Sequence, residues 1–270
     1  IMMDDLGFTD TSINGGVFST PTLEKLSQTG VKLNYHYSNT LCSTSRSSLL
    51  TGRYAWRNGV NKLIRPFTMQ HTDDSIPFIS ELLHDTNYQT AFYGKWHLGY
   101  SSQAFLPFNR GFDETLFFQS GAIGYRSHQD CTPWYWALKG IPIDPDLRNI
   151  LQNKFIDGFC SYDLWDQHYQ IASEDTHVYS EQLYTQNIFK YLDSVTKSDD
   201  PFFVYYAMQT PHWPLEEPPK TYAHCEENTH SDEERKVFCN ALLYADEMIA
   251  NIIGKLKANK LYENTVIIFL

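Results

Sequence analysis

The 270-residue sequence predicts an α/β fold in which helices flank a mostly parallel central sheet. Short apolar runs alternate along the chain with segments of helical periodicity, and this alternation favours parallel strands that are covered on both faces. Hydrophobic residues make up 42% and aromatic residues 15% of the chain, enough to fill one large core or two small ones. These two observations predict the fold class.

Apolar runs and helical patterns place the elements in order. Five strands are predicted, namely Ile1–Met3, Val31–Tyr37, Gln89–Tyr93, Phe202–Ala207 and Thr265–Leu270. Five helices are predicted, namely Thr22–Thr29, Ser45–Thr51, Pro77–Asp85, Val178–Ser194 and Glu233–Ala258. Residues 101–177 show no clear period and are rich in Trp, Tyr, Gly, Pro and Asp. This segment is predicted to be a long excursion near the functional end of the sheet.

Charge and cysteine usage exclude several classes of protein. A net charge of -11 argues against a broad nucleic-acid surface, and no apolar run approaches the ~20 residues of a membrane span. The five cysteines lack the close spacing of a structural zinc site. Pairing Cys131 with Cys160, and Cys225 with Cys239, would close two short loops and indicate an oxidising compartment. Cys42 is then the odd cysteine.

Polar residues follow several predicted strands, where open α/β sheets bind their ligands. Asp4 and Asp5 follow the first strand and offer the carboxylate oxygens that Ca²⁺ or Mg²⁺ prefers, although a solvated turn has the same sequence. Lys95 and His97 follow another strand and, in extended geometry, would face one side. His212 lies between prolines after a third strand. Each of these residues is also compatible with a purely structural role, in a surface turn or as a structural histidine.

Cys42 lies just before a predicted helix whose N-terminus favours a negatively charged group. Arg46 adds a planar cation suited to oxyanions. An electropositive pocket beside a cation site suits the hydrolysis of a sulfate or phosphate ester.

Four ordered motifs resemble the sulfatase family of the alkaline-phosphatase-like superfamily: "MMDDLGFTD", "CSTSRSSLLTGR", "YGKWHLG" and "TPHWP". Two further stretches, "LPFNRGFDETLFFQSG" and "YSEQLYTQNIFKYL", look most like the arylsulfatase B group, whose members remove 4-sulfate from N-acetylgalactosamine units of glycosaminoglycans. The resemblance implies a sulfated glycan or aryl sulfate as substrate and a lysosomal or secreted location.

The resemblance also implies roles for individual residues. A formylglycine-generating enzyme would oxidise Cys42 during synthesis, and one hydroxyl of the hydrated aldehyde would attack sulfur. Asp4, Asp5 and residue 42 would bind one Ca²⁺. The catalytic set would be completed by Arg46, which holds the diol, His97, which promotes its collapse, and Lys95 and His212, which contact the sulfate.

Residues 1–270 are accordingly expected to be a sulfatase catalytic domain that stops before the second pair of metal ligands. Two alternatives stay open: a phosphate or phosphonate ester hydrolase of the same superfamily, and a non-catalytic binder of sulfated glycans. Arg126, His128, Trp134 and Trp136 would border the pocket and meet an anionic sugar, or else be ordinary core aromatics and surface polar residues.

Thr44 departs from the family pattern, which has proline at this position of the motif that the converting enzyme reads. We therefore predict that Cys42 is converted to formylglycine less efficiently than in a typical member. Mass spectrometry of the peptide spanning Leu41 to Arg46 measures the converted fraction, and complete conversion would contradict this prediction.

Overall fold

The computed structural model describes residues 1–66, 68–132, 159–167, 177–229 and 232–270. Its central sheet has four strands, which in spatial order are β5 (Trp165–Asp166), β2 (Glu114–Phe118), β1 (Gln89–Lys95) and β6 (Phe202–Ala207). Strand β1 pairs in parallel with both β2 and β6, and β5 is antiparallel to β2 at one edge. The predicted α/β class with a mostly parallel sheet is confirmed.

Helices cover both faces of this sheet. The described α-helices are α1 (Pro21–Thr29), α2 (Cys42–Thr51), α3 (Ile79–His84), α4 (Ser180–Val195), α5 (Ala223–Asn228) and α6 (Glu233–Ala258). Because successive strand residues point to opposite faces, Ala91 and Tyr93 of β1 join one core and Phe92 joins the other. The first core also contains the apolar sides of α4 and α6, and the second contains Leu50 of α2.

The five predicted helices are all present, with boundaries shifted by at most three residues. Strand β6 and helix α6 have the predicted bounds, and β1 extends two residues beyond its predicted end to Lys95. The largest shift is in α2, which begins at Cys42 rather than Ser45.

The predicted strand Val31–Tyr37 is wrong. This segment is irregular, and its alternating apolar residues are exposed, with Val31 at 89% and Tyr35 at 86% exposure. Alternation predicts a strand only where another strand supplies the hydrogen bonds. Within the described ranges, no strand pairs with residues 31–37.

The segment 101–177 is more than an excursion, because its described residues contribute β2 and β5 to the central sheet. It also contains β3 (Gln129–Thr132) and β4 (Phe159–Tyr162), which form a separate antiparallel pair that a disulfide between Cys131 and Cys160 crosses. A second disulfide joins Cys225 of α5 to Cys239 of α6. Trp134 and Trp136 lie outside the described residues.

The two terminal segments extend the sheet beyond β6, although neither is a regular strand. Met2 forms a parallel bridge with Ala207, and its N–H donates to the Tyr206 carbonyl at 2.9 Å. Leu270 in turn accepts from Met3 and donates to Ile1. The predicted strands Ile1–Met3 and Thr265–Leu270 are thus extended segments held by a few hydrogen bonds.

Helix α6 is the one described helix that is long and apolar enough to cross a membrane, with a mean hydropathy of 1.2 over 18 residues. That window is 61% buried inside the protein. Leu242, Ala245 and Ile249 of this helix lie in the larger core. Its apolar character is therefore weak evidence for a membrane span and is accounted for by packing.

The carboxyl ends of the parallel segments lie side by side at one end of the sheet. Asp4 follows Met3, Lys95 ends β1, and His212 follows β6 by five residues. Because these segments pair in parallel, residues that are far apart in sequence come together at the carboxyl end of the sheet.

Phe92 is the central side chain of the second core, with ring centroids 5.1 Å from Trp96 and 5.3 Å from both Phe112 and Tyr205. We predict that Phe92→Ala lowers the free energy of unfolding by about 3–5 kcal/mol, because the cavity cannot fully collapse. Leu82→Ala on the exposed side of α3 serves as the control and should cost about 0.5 kcal/mol. If urea unfolding shows equal losses of unfolding free energy for the two variants, the packing of Phe92 does not stabilise this core as predicted.

Candidate active site

A buried ion cluster lies at the carboxyl end of the sheet, where the parallel segments end. The Lys95 ammonium donates to Asp4 Oδ2, and Arg46 Nη2 lies 3.5 Å from the same oxygen. Arg46 Nη1 also donates to the Lys95 carbonyl at 2.6 Å. One carboxylate thus joins the amino-terminal segment, strand β1 and helix α2.

The two cations of this cluster keep Asp4 ionised and exceed its negative charge. Burial alone would raise the pKa of Asp4, but the positive charges of Lys95 and Arg46 outweigh it and lower that pKa to about 2. Asp4 is therefore ionised at any physiological pH. Two cations against one carboxylate leave local positive charge that an anionic substrate could neutralise.

Helix α2 is buried although it is mostly polar, because its hydroxyl groups bond to nearby backbone. Thr44 Oγ1 donates to the Leu41 carbonyl at 2.7 Å, and Ser45 Oγ donates to the same oxygen at 2.9 Å. Small hydroxyl residues allow close packing and bring Arg46 into the interior, where its Nε and Nη2 have no hydrogen-bond partner. Nη2 faces the Asp4 carboxylate at 3.5 Å, so Nε is the buried Arg46 donor of this pair that has neither a hydrogen bond nor an ion pair.

Cys42 begins α2 and contacts His97. Its Sγ lies 3.2 Å from His97 Nδ1, and His97 Nε2 lies 2.8 Å from the Ile64 carbonyl. Since a carbonyl only accepts, Nε2 carries the proton and Nδ1 presents its lone pair to residue 42. Burial and the charge of Lys95 lower the pKa of His97 to about 3, so the ring is neutral.

Lys95 and His97 share the site, but not through the extended geometry expected from the sequence. Strand β1 ends at Lys95, and His97 has a left-handed backbone with φ of 55°. The ring then lies against Gly121, where an added Cβ would stand 3.0 Å from His97 Cε1. The turn after the strand, rather than strand alternation, directs the imidazole toward Cys42.

His212 approaches the cluster from the loop after β6. Its Nδ1 donates to the Trp213 carbonyl, which leaves Nε2 directed at Asp5 Oδ2, 3.6 Å away. Burial and the charge of Lys95 lower the pKa of His212. Adjacent Asp4 and Asp5 therefore differ: Asp4 is buried among cations, whereas Asp5 is exposed and faces a histidine.

All seven residues predicted from the motifs take part in these contacts. The set consists of Asp4, Asp5, Cys42, Arg46, Lys95, His97 and His212. The other two described candidates, Arg126 and His128, contact none of the seven. Arg126 donates to the Glu217 carbonyl, and the buried ring nitrogens of His128 have no hydrogen-bond partner.

The donors fit a hard cation in type but not in number. Asp4 and Asp5 supply carboxylate oxygens, whereas Ca²⁺ takes six to eight oxygen ligands. Among the residues that the structure describes, no cluster of three or more His, Cys, Asp or Glu could hold a metal ion. The two carboxylates can therefore be part of a calcium site but do not complete one.

Comparison with known proteins identifies the family. The sulfatase family model matches residues 1–270. The chain belongs to the sulfatase family. It is 30% identical over 270 residues to arylsulfatase J of Mus musculus, covering 100% of this chain and 41% of that protein. It is 31% identical over 225 residues to N-acetylgalactosamine-6-sulfatase of Mus musculus, covering 80% of this chain and 39% of that protein.

The sulfatase fold agrees with solved structures. The crystal structure of Ps i-CgsB superposes with a TM-score of 0.79 at 25% identity, over 100% of this chain and 56% of that one. This sulfatase chain thus spans about two fifths of the length of its curated relatives and about half of the solved one.

Sequence reasoning missed the residues that hold this candidate site in place. Ile64 contributes only a carbonyl, so no residue type could signal it. Glu181, Thr210 and Tyr125 hold the His212 loop through buried hydrogen bonds. Thr210 is the first residue of the "TPHWP" motif, and Glu181 has the sequence appearance of an ordinary acidic residue in a first helical turn.

We predict that Asp4→Asn destabilises this sulfatase by about 3–5 kcal/mol, because it leaves two buried cations without their carboxylate. The neighbouring Asp5→Asn is the matched control; its side chain is 69% exposed against 4% for Asp4. We expect it to cost less than about 1 kcal/mol. Chemical unfolding of both variants measures the difference, and similar losses would refute the central role of Asp4.

Proposed function

We propose that the protein hydrolyses sulfate esters through a formylglycine formed from Cys42. The contact between Cys42 Sγ and the neutral His97 ring carries the proposal, together with the buried Nε of Arg46, which has no hydrogen-bond partner. When formed, the hydrated aldehyde supplies a hydroxyl nucleophile and a second hydroxyl whose deprotonation releases sulfate. The family membership supports this chemistry over an ordinary cysteine nucleophile.

His97 is suited to accept a proton from residue 42. The Ile64 carbonyl fixes the ring with Nε2 protonated, so the Nδ1 lone pair points at the side chain that begins α2. A hydroxyl at the position of the sulfur would donate to Nδ1 over the same short distance. His97 would thus act as the general base for collapse of the diol.

Three cationic or proton-carrying groups are suited to the sulfate itself. Arg46 presents a buried Nε with neither a hydrogen bond nor an ion pair, and both Arg46 and the Lys95 ammonium are held by Asp4. Both stabilise charge on sulfate oxygens without reorganising, because they are already held in place. His212 Nε2 faces Asp5 from the loop after β6 and, once protonated, would give its proton to the leaving oxygen.

Asp4 and Asp5 would supply two ligands of one Ca²⁺, which when bound would withdraw charge from the sulfate oxygens. The residue formed from Cys42 would be a third ligand. Asp4 would keep its contacts with Lys95 and Arg46 in this role, since only Oδ2 is used by them.

The substrate we propose is a sulfated sugar, specifically the 4-sulfate of N-acetylgalactosamine in glycosaminoglycans. The stretches that look like the arylsulfatase B group support the 4-position. One matched relative is an N-acetylgalactosamine-6-sulfatase, so release of 6-sulfate is the alternative that needs direct comparison. Trp213, 63% exposed beside His212, offers a surface on which a sugar ring could stack.

A secretory route accompanies this function. Two disulfides are typical of an oxidising compartment and support a lysosomal or secreted location. During synthesis on this route the protein would meet a formylglycine-generating enzyme, the partner required for conversion of Cys42. Residues 1–270 would belong to the catalytic domain.

The test is steady-state hydrolysis of a matched aryl sulfate and aryl phosphate by the full-length protein, followed by 4-sulfated and 6-sulfated N-acetylgalactosamine. We expect a preference for sulfate and loss of activity in Cys42→Ala. A preference for phosphate would favour the phosphatase alternative. Binding of the sulfated sugar without any hydrolysis would favour a non-catalytic binder.

We also predict that His97→Ala lowers kcat by roughly 10²–10⁴-fold, the usual contribution of a general base. His84→Ala is the matched control, because His84 is half exposed and pairs with Asp113 away from the site. This control should keep kcat within about twofold. If both variants keep full activity, His97 is not the base.

A further inference from the structure

We propose that Glu181 is a positioning residue of this site, because its buried carboxylate fixes the loop that carries His212. The inference deepens the proposed function, on which its kinetic test rests. Glu181 lies in the first turn of α4, is fully buried and touches none of the seven motif residues.

One oxygen of Glu181 binds three donors of the His212 loop. Its Oε1 accepts from the Gln209 N–H at 3.1 Å, the Thr210 N–H at 3.0 Å and Thr210 Oγ1 at 2.7 Å. Its other oxygen, Oε2, accepts from the Tyr206 hydroxyl. The carboxylate therefore binds both the end of β6 and the residues that follow it.

Thr210 links Glu181 to the backbone of Asp4 and to the loop that carries His212. Its carbonyl accepts from the Asp4 N–H at 3.1 Å, so the residue held by Glu181 also fixes the backbone of Asp4. His212 follows two residues later, and its N–H donates to the Gln209 carbonyl at 2.9 Å. Both neighbours of Pro211 are thereby fixed relative to α4.

The same turn of α4 restrains the loop from a second side. Ser180 donates to the Tyr125 carbonyl through its N–H at 2.8 Å and its hydroxyl at 3.0 Å. The Tyr125 hydroxyl in turn donates to the His212 carbonyl at 2.9 Å. His212 is thus held through Glu181 on one side and through Ser180 and Tyr125 on the other.

A carboxylate at this buried position costs desolvation free energy that an apolar side chain would avoid. In return it orders three donors within two consecutive residues of one loop. Since a misplacement of about 1 Å in a reacting group can cost ~10²-fold in rate, this ordering bears on His212 and therefore on catalysis.

The kinetic test compares Glu181→Gln with Glu181→Leu in the full-length protein. Glutamine keeps an oxygen for the loop donors, so its kcat should stay within about threefold of wild type. Leucine removes all acceptors, and its kcat should fall by about 10–100-fold with KM changed less than threefold. Thr210→Val, which removes one bond to Glu181 and keeps the shape, should lower kcat by about threefold even if the leucine variant does not fold.

Asp246→Asn is the matched control. Asp246 is also a buried carboxylate that accepts two backbone N–H groups, those of Thr22 at 3.0 Å and Leu23 at 2.9 Å. These donors begin α1 and lie outside the site, so this variant should lose stability and keep kcat.

Amide hydrogen exchange gives a readout that needs no activity. Glu181→Leu, or Thr210→Val in its place, should accelerate exchange at Gln209 and Thr210 and leave Leu23 unchanged. If wild type hydrolyses no sulfate ester, the proposed function fails, and exchange alone decides the positioning role. Unchanged exchange at Gln209 and Thr210, or equal kcat in the leucine, valine and wild-type proteins, would overturn the inference.

Discussion

The site depends on one buried carboxylate. Asp4 pairs with Lys95 from β1 and with Arg46 from α2, so a single side chain fixes three separate segments of the chain. Such a cluster is expensive to desolvate and is stable only when all its members are present. Lys95 and Arg46 together carry one positive charge more than Asp4 neutralises, and the sulfate ester of the proposed function would meet that charge at this end of the sheet.

The remaining contacts orient the two histidines of the site. His97 faces residue 42 because the Ile64 carbonyl fixes its protonated nitrogen and a left-handed turn redirects it after β1. His212 approaches from the other side on a loop held by Glu181 and Tyr125. Cys42 therefore lies beside one histidine, and the second histidine faces Asp5, which follows Asp4 in the chain. In the proposed function, His97 would serve sulfate release and His212 would serve ester cleavage.

Some of this could be predicted from sequence and some could not. The polar motifs were identifiable because they directly follow apolar strands, and parallel pairing brings strand ends together. Val31–Tyr37 was wrongly predicted as a strand because alternation records a pattern of residue types and not the presence of a pairing partner. Strand β2 was missed because four of its five residues are buried, so no alternation marks it. Glu181 was missed because acidic residues in a first helical turn are common on surfaces, where they favour the helix dipole.

The central claim is that Cys42 acts only as the precursor of an aldehyde-derived nucleophile. It is tested by measuring, across preparations of the full-length protein, the fraction of residue 42 labelled by an aldehyde-reactive hydroxylamine and the rate of sulfate release. The account predicts a rate proportional to the labelled fraction, with no release at zero labelling. Full activity in a preparation that carries only the intact thiol would contradict it.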